Sequence, residues 1–337
     1  MPIPSTGLVP VACLVAGVLL GCRGTQSQPN EIAPYEIVEI VPGVYVALAN
    51  IGGSGVGNAG IINMGGSAVV FDTGLTPEAG RQLKEAAERL TGDKVRFVIN
   101  SHYHDDHVGG NQVFEGSSFF STSATQKGVL AAGSRRSAES VAAAQDHLSR
   151  VEDRLAEESD PKAKRELSLL AGHLRGIVDS KNELERQAPT VVYDTRLNFS
   201  GSIRRVKVVP TGTGHAEGDA ALWLEADSVL FAGGLVTTDR HPELADGDLD
   251  GWITALDTLL TLGFDVVVPG HGPVGDRQSV VTMQEYLRAI DRAAQQALEG
   301  TPLESIPVDS AFSEWMLELR FRENVRFVME SGGNKRH

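Results

Sequence analysis

The sequence predicts a mixed α/β (α+β) fold in which two halves, each built of short strands, stack their sheets. Short stretches rich in Val and Ile alternate with glycine-rich turns over residues 35–72, which is typical of a meander of strands. A strand, an amphipathic helix and another strand follow, a spacing that implies a right-handed parallel unit. The pattern of short strands returns after residue 190. We therefore expect loops at the strand ends of both halves to meet at one edge.

Length and composition allow a full core and limit the partners. The chain has 337 residues, 41% of them hydrophobic and 22% charged, enough for one large domain or two of ordinary size. The 30 basic and 44 acidic residues give a net charge of −14, which argues against a nucleic-acid partner or an anionic-membrane surface. The partners we expect are a small-molecule substrate and, through the helical insertion, a second copy of the chain.

The N-terminal residues have the composition of an export signal. Residues 1–21 contain no charged side chain, and the apolar run over residues 8–20 is about a dozen residues long, too short to cross a bilayer. It closes on Leu19-Leu20-Gly21-Cys22, which resembles a bacterial lipobox, so residues 1–21 are predicted to be a lipoprotein signal peptide and Cys22 a lipid anchor. A plain secreted protein is the alternative.

A polar tether follows the predicted anchor. Residues 22–34 are rich in Gly, Ser, Gln and Pro, a composition that cannot bury a core. Arg23 after the predicted lipidated cysteine, by resemblance to Gram-negative lipoproteins, favours the periplasmic side of the outer membrane. The folded domain is predicted over residues 35–300, with a C-terminal helical segment over residues 301–337.

The first half contains the densest group of chemically active side chains. Strands are predicted over residues 35–40, 44–49, 60–63 and 68–72, and a helix capped by Thr76 leads to a strand over residues 95–100. Directly after that strand come His102, His104, Asp106 and His107, which include three of the nine histidines. His102 and His104 share one face of an extended chain, whereas Asp106 and His107 must curl towards another point. Imidazole and carboxylate suit zinc, so two adjacent metal positions are predicted.

A helical insertion separates the two halves. Residues 124–188 are rich in Ala, Glu, Arg and Leu, carry apolar residues at helical spacing, and are interrupted at Ser159-Asp160-Pro161. We predict two long helices that form a hairpin, with a structural or oligomer-forming role as the default and a position over the site as the alternative. His147 and His173 are predicted to be surface residues of this hairpin.

The second half places two more histidines at strand ends. Strands are predicted over residues 190–193, 204–210, 220–225, 228–232 and 264–268, with helices over residues 248–262, 279–298 and 312–329. His215 lies in a turn between glycines, and His271 lies between glycines after the last strand. Glycine lets the backbone approach an ion closely at such turns.

These motifs resemble the signature of the metallo-β-lactamase superfamily. The match consists of His102-x-His104-x-Asp106-His107, the strand-end Asp72-Thr73-Gly74, Gly214-His215 and Gly270-His271-Gly272. The resemblance implies an αββα sandwich with a helical-hairpin insertion. It also implies that His102, His104 and His215 hold one metal and that Asp106, His107 and His271 hold a second. Asp72 is then expected to contact the histidine loop and orient it without binding a metal itself.

One position departs from many members of that superfamily. Gly234 stands where many of its hydrolases carry an Asp that bridges the metals, and Asp239 or His241 just downstream is the possible substitute. The remaining ligand set resembles that of the third metallo-β-lactamase subclass, and the motifs around Arg240-His241-Pro242 resemble quinoprotein-relay-type zinc metallohydrolases. The sequence has only Cys13 and Cys22, so the folded domain has no thiol for a metal or a disulfide.

The predicted activity is zinc-dependent hydrolysis. The expected cofactor is zinc, with two ions bound. A bound zinc ion lowers the pKa of water from about 15.7 to about 7, so hydroxide can attack a carbonyl centre. Asp106 can orient the water or take its proton. The substrates expected are β-lactams, lactones, esters or thioesters. The alternatives are a metal-binding accessory lipoprotein, suggested by Gly234, and an iron-dependent redox enzyme.

Overall fold

Two β-sheets lie at the centre of the structure, a computed structural model that describes residues 32–334. The first sheet contains seven strands in chain order, antiparallel from β1 to β4 and parallel from β4 to β7. Its strands are β1 (Tyr35–Val41), β2 (Val44–Ala49), β3 (Ala59–Asn63), β4 (Ala68–Phe71), β5 (Val95–Ile99), β6 (Ser118–Ser121) and β7 (Val191–Val192). The predicted meander and parallel unit are both present.

The second sheet contains five strands in the order β12-β11-β10-β9-β8. Its strands are β8 (Leu197–Ser200), β9 (Arg205–Gly212), β10 (Asp219–Leu224), β11 (Val229–Thr237) and β12 (Val266–His271). Only the β11–β12 pair is parallel. Because β4, β5, β11 and β12 all end at the same edge of the stacked sheets, the loops that follow them can meet.

The space between the sheets is filled by apolar side chains from both. The rings of Phe71 and Phe231 meet at a centroid separation of 6.1 Å, and Ile62, Val208 and Leu222 are fully buried beside them. Both β10 and β11 are buried along their whole length, as expected for strands that are covered on two faces. The sheets therefore form the inner two layers of the fold.

Helices cover the outer faces. They are α1 (Pro77–Thr91), α2 (Asp105–Val108), α3 (Ser123–Ala131), α4 (Ala138–Glu157), α5 (Pro161–Asp179), α6 (Leu249–Leu260), α7 (Arg277–Leu298) and α8 (Leu319–Asn334). Helix α1 packs on the first sheet through Leu83 and Ala87. Helices α6 and α7 pack on the second sheet through Trp252 and Ile290, and α8 packs on α7 through Val325. This αββα arrangement confirms the predicted fold class.

The predicted helical hairpin is present as α4 and α5. Their apolar seam buries Leu148 and Val151 against Leu167 and Leu174. The additional helix α3 and the strands β6 and β8 are not in the sequence prediction, because these elements are short and two of them are flanked by serines. The last helix begins at Leu319 rather than at residue 312, because Met316 donates its backbone N–H to Asp239.

The predictions for the N-terminal segment concern residues outside the described range. The signal peptide, the anchor at Cys22 and nearly all of the tether precede residue 32. Across residues 32–334, no helix has both the length and the apolar character that a membrane crossing requires.

Candidate metal centre

Four chain segments deliver the predicted ligands to one edge of the sheets. His102 and His104 follow β5, and α2 begins at Asp105, so its first turn carries Asp106 and His107. His215 lies in the turn between β9 and β10, and His271 is the last residue of β12. The structure thus brings together all six residues that the sequence analysis names.

The six side chains form two adjacent groups of three. Ligand atoms of His102, His104 and His215 all lie within 4.8 Å of one another, and so do those of Asp106, His107 and His271. Within the first group, Nδ1 of His104 lies 3.1 Å from Nε2 of His215. The ring centroids of His102 and His107 are 4.3 Å apart, so the groups are direct neighbours.

The ring nitrogens that face away from each group have protein partners. These contacts are His102 Nδ1 with Ser101 Oγ at 2.8 Å, His104 Nε2 with Asp246 Oδ2 at 2.9 Å, His107 Nδ1 with Asp72 Oδ2 at 2.8 Å, His215 Nδ1 with the Glu243 carbonyl at 3.1 Å and His271 Nδ1 with the Val56 carbonyl at 3.2 Å. Such outer contacts orient metal-binding histidines and set their tautomers. The remaining nitrogen of each ring points into its group.

The lack of a partner at two of those inward nitrogens indicates that each group can hold a metal ion. Nε2 of His102 and Nε2 of His107 are buried and have no hydrogen-bond partner among the described residues. A buried polar atom without a partner costs about 1–3 kcal/mol. A cation within each group would accept these lone pairs, and the nitrogen and oxygen donors are the types that metal ions of this class bind.

Asp72 links the two groups. It is buried at a φ of 62°, in the left-handed region that Asp tolerates better than most residues, and its Oδ1 accepts the Ser101 N–H at 2.7 Å. Its Oδ2 is 2.7 Å from Ser101 Oγ and 2.8 Å from His107 Nδ1. Ser101 in turn contacts His102, so one carboxylate orients a ligand of each group. Asp72 lies where its predicted supporting role requires.

Burial keeps most of the inward ring nitrogens unprotonated, so they are available to bind a metal ion. Burial lowers the pKa of His102 and of His215 well below the usual value, and it lowers the pKa of His271 to about 3. Burial acts in the same direction on His107, but the charges of Asp106 and Asp72 more than offset it and raise its pKa to about 9. A metal ion in the second group must therefore displace a proton from His107.

The backbone at Gly234 lies against the first group of histidines. A Cβ atom there would overlap Cδ2 of His215 and would lie 3.0 Å from Cε1 of His102. A bridging carboxylate is therefore excluded by space. The proposed substitutes, Asp239 and His241, belong to neither group. His241 instead contacts Tyr286 Oη at 3.2 Å.

We expect Gly234→Ala to weaken the first metal site while most of the fold persists. The added methyl group must displace the His215 ring, which also carries the contact to the Glu243 carbonyl. Metal analysis after dialysis should show loss of about one ion per chain, and the circular dichroism spectrum should be retained. Gly263→Ala is the matched control, because a Cβ atom there meets nothing within 4 Å and the backbone is not in the left-handed region. Full metal content in the Gly234 variant would contradict this account.

A cavity of about 310 Å³ opens in front of the two groups. Its wall includes His104, Asp106, His173, His215, Arg240, His271, Leu317 and Arg320. Arg240 is only 8% exposed, its Nε has no hydrogen-bond partner, and it forms no ion pair with any described residue. Burial lowers the pKa of Arg240 to about 10, so it stays charged at neutral pH.

Sequence reasoning missed three residues of this wall. The prediction that His147 and His173 are both surface residues is correct for His147 but wrong for His173, which is half-buried and lines the cavity. Arg320 carries no local signal either, because an arginine at the start of a helix is ordinarily solvated, and the motif around Arg240 does not indicate that its side chain faces a cavity. Only the packing of distant segments reveals these positions.

Comparisons with known proteins agree with the geometry. Residues 52–271 match the family model described as the metallo-beta-lactamase superfamily. The chain is 23% identical over 267 residues to a metallo-beta-lactamase type 2 of Bacillus cereus, covering 77% of this chain and 85% of that protein. A second metallo-beta-lactamase type 2, from Bacillus sp. (strain 170), is 25% identical, with coverages of 77% and 84%.

A solved structure has the same fold. The metallo-beta-lactamase from Pontibacter korlensis superposes with a TM-score of 0.55 at 21% identity, covering 75% of this chain and 99% of the other. That likeness concerns the fold, while the family match spans the segments that carry both groups of ligands. The chain belongs to the metallo-beta-lactamase superfamily and is a metal-dependent hydrolase.

Proposed function

We propose that this hydrolase uses zinc, bound in both groups, to open carbonyl compounds such as β-lactams, lactones, esters or thioesters. The observation that carries the proposal is the pair of adjacent ligand groups, in which every outward ring nitrogen has a protein partner and one buried inward nitrogen in each group, that of His102 and that of His107, has none among the described residues. Imidazole and carboxylate donors without a thiolate suit zinc. The ligand set resembles that of the third metallo-β-lactamase subclass.

When bound, zinc ions supply a water nucleophile at neutral pH and polarise a carbonyl group. The chain's own contribution is to hold the reacting groups. Oδ2 of Asp106 lies 3.3 Å from Nε2 of His271 and 3.7 Å from Nε2 of His107, which places this oxygen within the second group. The other carboxylate oxygen of Asp106 can then orient a nucleophile or take its proton. Burial raises the pKa of Asp106, but His107 and His271 outweigh it and hold the pKa below its usual value, so the carboxylate is ionised.

The charge on Arg240 favours substrates that carry an acidic group. Its guanidinium is nearly buried and faces the cavity, and it forms no direct ion pair with a carboxylate among residues 32–334, although the charges of Asp106 and Asp239 act on it from a greater distance. An unpaired buried charge is costly, and a substrate anion would offset that cost. Acidic β-lactams belong to this class of compound, whereas neutral esters do not.

Arg240→Ala is expected to raise KM for a carboxylate-bearing chromogenic β-lactam by roughly 30-fold or more, because truncating one partner of a buried charged pair costs about 2–5 kcal/mol. The KM of a neutral thioester should change little. Arg240→Lys keeps the charge and should recover part of the loss. Equal losses for the charged and the neutral substrate would show that Arg240 supports the fold instead.

The proposed function is tested by metal analysis of the purified protein joined to a hydrolysis screen. We expect about two equivalents of zinc and turnover of at least one compound among a chromogenic β-lactam, a lactone and a thioester. One loosely held ion without turnover would favour the accessory lipoprotein. Bound iron with oxygen uptake would favour the redox enzyme.

A further inference from the structure

The helical hairpin is tied to the metal loop by two buried arginines. The carboxylate of Asp105, the first residue of α2, accepts hydrogen bonds from Nε and Nη2 of Arg186 at 2.6 and 2.7 Å and from Nε of Arg136 at 3.2 Å. The side chains of Arg136 and Arg186 are only 4% and 7% exposed. Arg136 precedes α4 and Arg186 follows α5, so both ends of the hairpin are fixed beside the ligands Asp106 and His107.

Helix α5 also approaches the core unusually closely. A Cβ atom at Gly172 would lie 2.6–2.8 Å from the backbone of Gly52, and one at Gly176 would lie 2.9 Å from the Leu75 side chain. Glycine inside a helix costs about 1 kcal/mol relative to alanine, so its presence twice in one helix needs a reason. Here the reason is that any side chain would push α5 away from the loops that border the metal centre.

Because α5 lies so close to the core, the side chain of His173 lines the cavity. His173 lies between the two glycines in α5 and lines the cavity with Asp106, Leu317 and Arg320. No described residue forms a hydrogen bond with its ring, although every histidine of the metal groups has such a partner for its outward nitrogen. Burial lowers the pKa of His173, and a neutral imidazole offers one donor and one acceptor.

We propose that the hairpin is a wall of the active site and that His173 is a substrate-binding residue whose imidazole donates a hydrogen bond to a carboxylate oxygen of the substrate. The inference rests on the proposed function, because it requires a ligand held at the metal groups. Asp105, Arg136 and Arg186 are positioning residues, since they act on the substrate only through the placement of α5.

The test measures ligand binding without turnover, in protein loaded with cobalt instead of zinc. The probe is 4-mercaptobutanoate, whose thiolate binds the metal and changes the visible spectrum, and butanethiol is the same probe without a carboxylate. We expect His173→Ala to weaken the binding of 4-mercaptobutanoate about tenfold, because one hydrogen bond to a charged group is lost. The affinity for butanethiol should not change. His173→Gln keeps a donor and should recover part of the affinity.

The matched control is His147→Ala, a histidine exposed on the other helix of the hairpin, which should bind both probes as the unaltered protein does. In zinc-loaded protein, His173→Ala should raise KM for a carboxylate-bearing β-lactam about tenfold with kcat nearly unchanged. If cobalt binds and the His173→Ala and unaltered proteins hold 4-mercaptobutanoate equally, the inference is wrong and the proposed function stands. If no metal binds, the proposed function fails and the inference fails with it.

Discussion

His104→Ala is expected to reduce hydrolysis to the uncatalysed background and to lower the zinc content, while the fold is retained. His104 supplies the Nδ1 that faces His215 in the first group, and no neighbouring side chain can replace it. Its other nitrogen contacts only the half-exposed Asp246, so the loss of that hydrogen bond costs about 1 kcal/mol of stability. Zinc analysis, kcat and the thermal midpoint Tm are the measurements.

The control for this variant is again His147→Ala, which lies outside the cavity. It should match the unaltered protein in zinc content, kcat and Tm. Retained activity in His104→Ala protein would mean that the catalytic centre lies elsewhere.

The second large effect is expected at Asp72. Asp72→Ala leaves the Ser101 N–H, the Ser101 hydroxyl and the His107 Nδ1–H without their acceptor in a buried site. Breaking a buried charged pair by removing one partner costs about 3–5 kcal/mol of the free energy of unfolding. Because Asp72 orients a ligand of each group, zinc affinity should also fall roughly 10–100-fold.

Urea unfolding of the metal-free protein and competition with a chromophoric chelator measure these two losses. Asp246→Asn is the matched comparison, because it alters a carboxylate that also contacts a metal-group histidine but is 54% exposed. It should change the free energy of unfolding by less than about 1 kcal/mol. If the two variants lost similar amounts of unfolding free energy and zinc affinity, the burial of Asp72 would not be what stabilises the metal centre.

The candidate metal ligands were predictable because each belongs to a short local motif at a strand end. His102, His104, Asp106 and His107 follow one buried strand, and the turns around His215 and His271 are marked by glycines. The strands and the amphipathic helices were predictable from their patterns along the chain, whereas the αββα arrangement was expected from the resemblance to the metallo-β-lactamase superfamily. The short elements β6, β8 and α3 were missed because a few residues carry too little periodicity to be recognised.

The sequence alone therefore determined the six candidate ligands and the strands that carry them, because these are marked by local patterns, and its resemblance to the superfamily motifs indicated how they group and how the layers stack. Only the tertiary structure decided which side chains face the substrate. His173 reaches the cavity because two glycines and a pair of buried arginines hold α5 close to the core, and Arg240 faces the same cavity without a direct ion pair among the described residues. Such contacts join residues far apart in the chain, so no local sequence pattern predicts them.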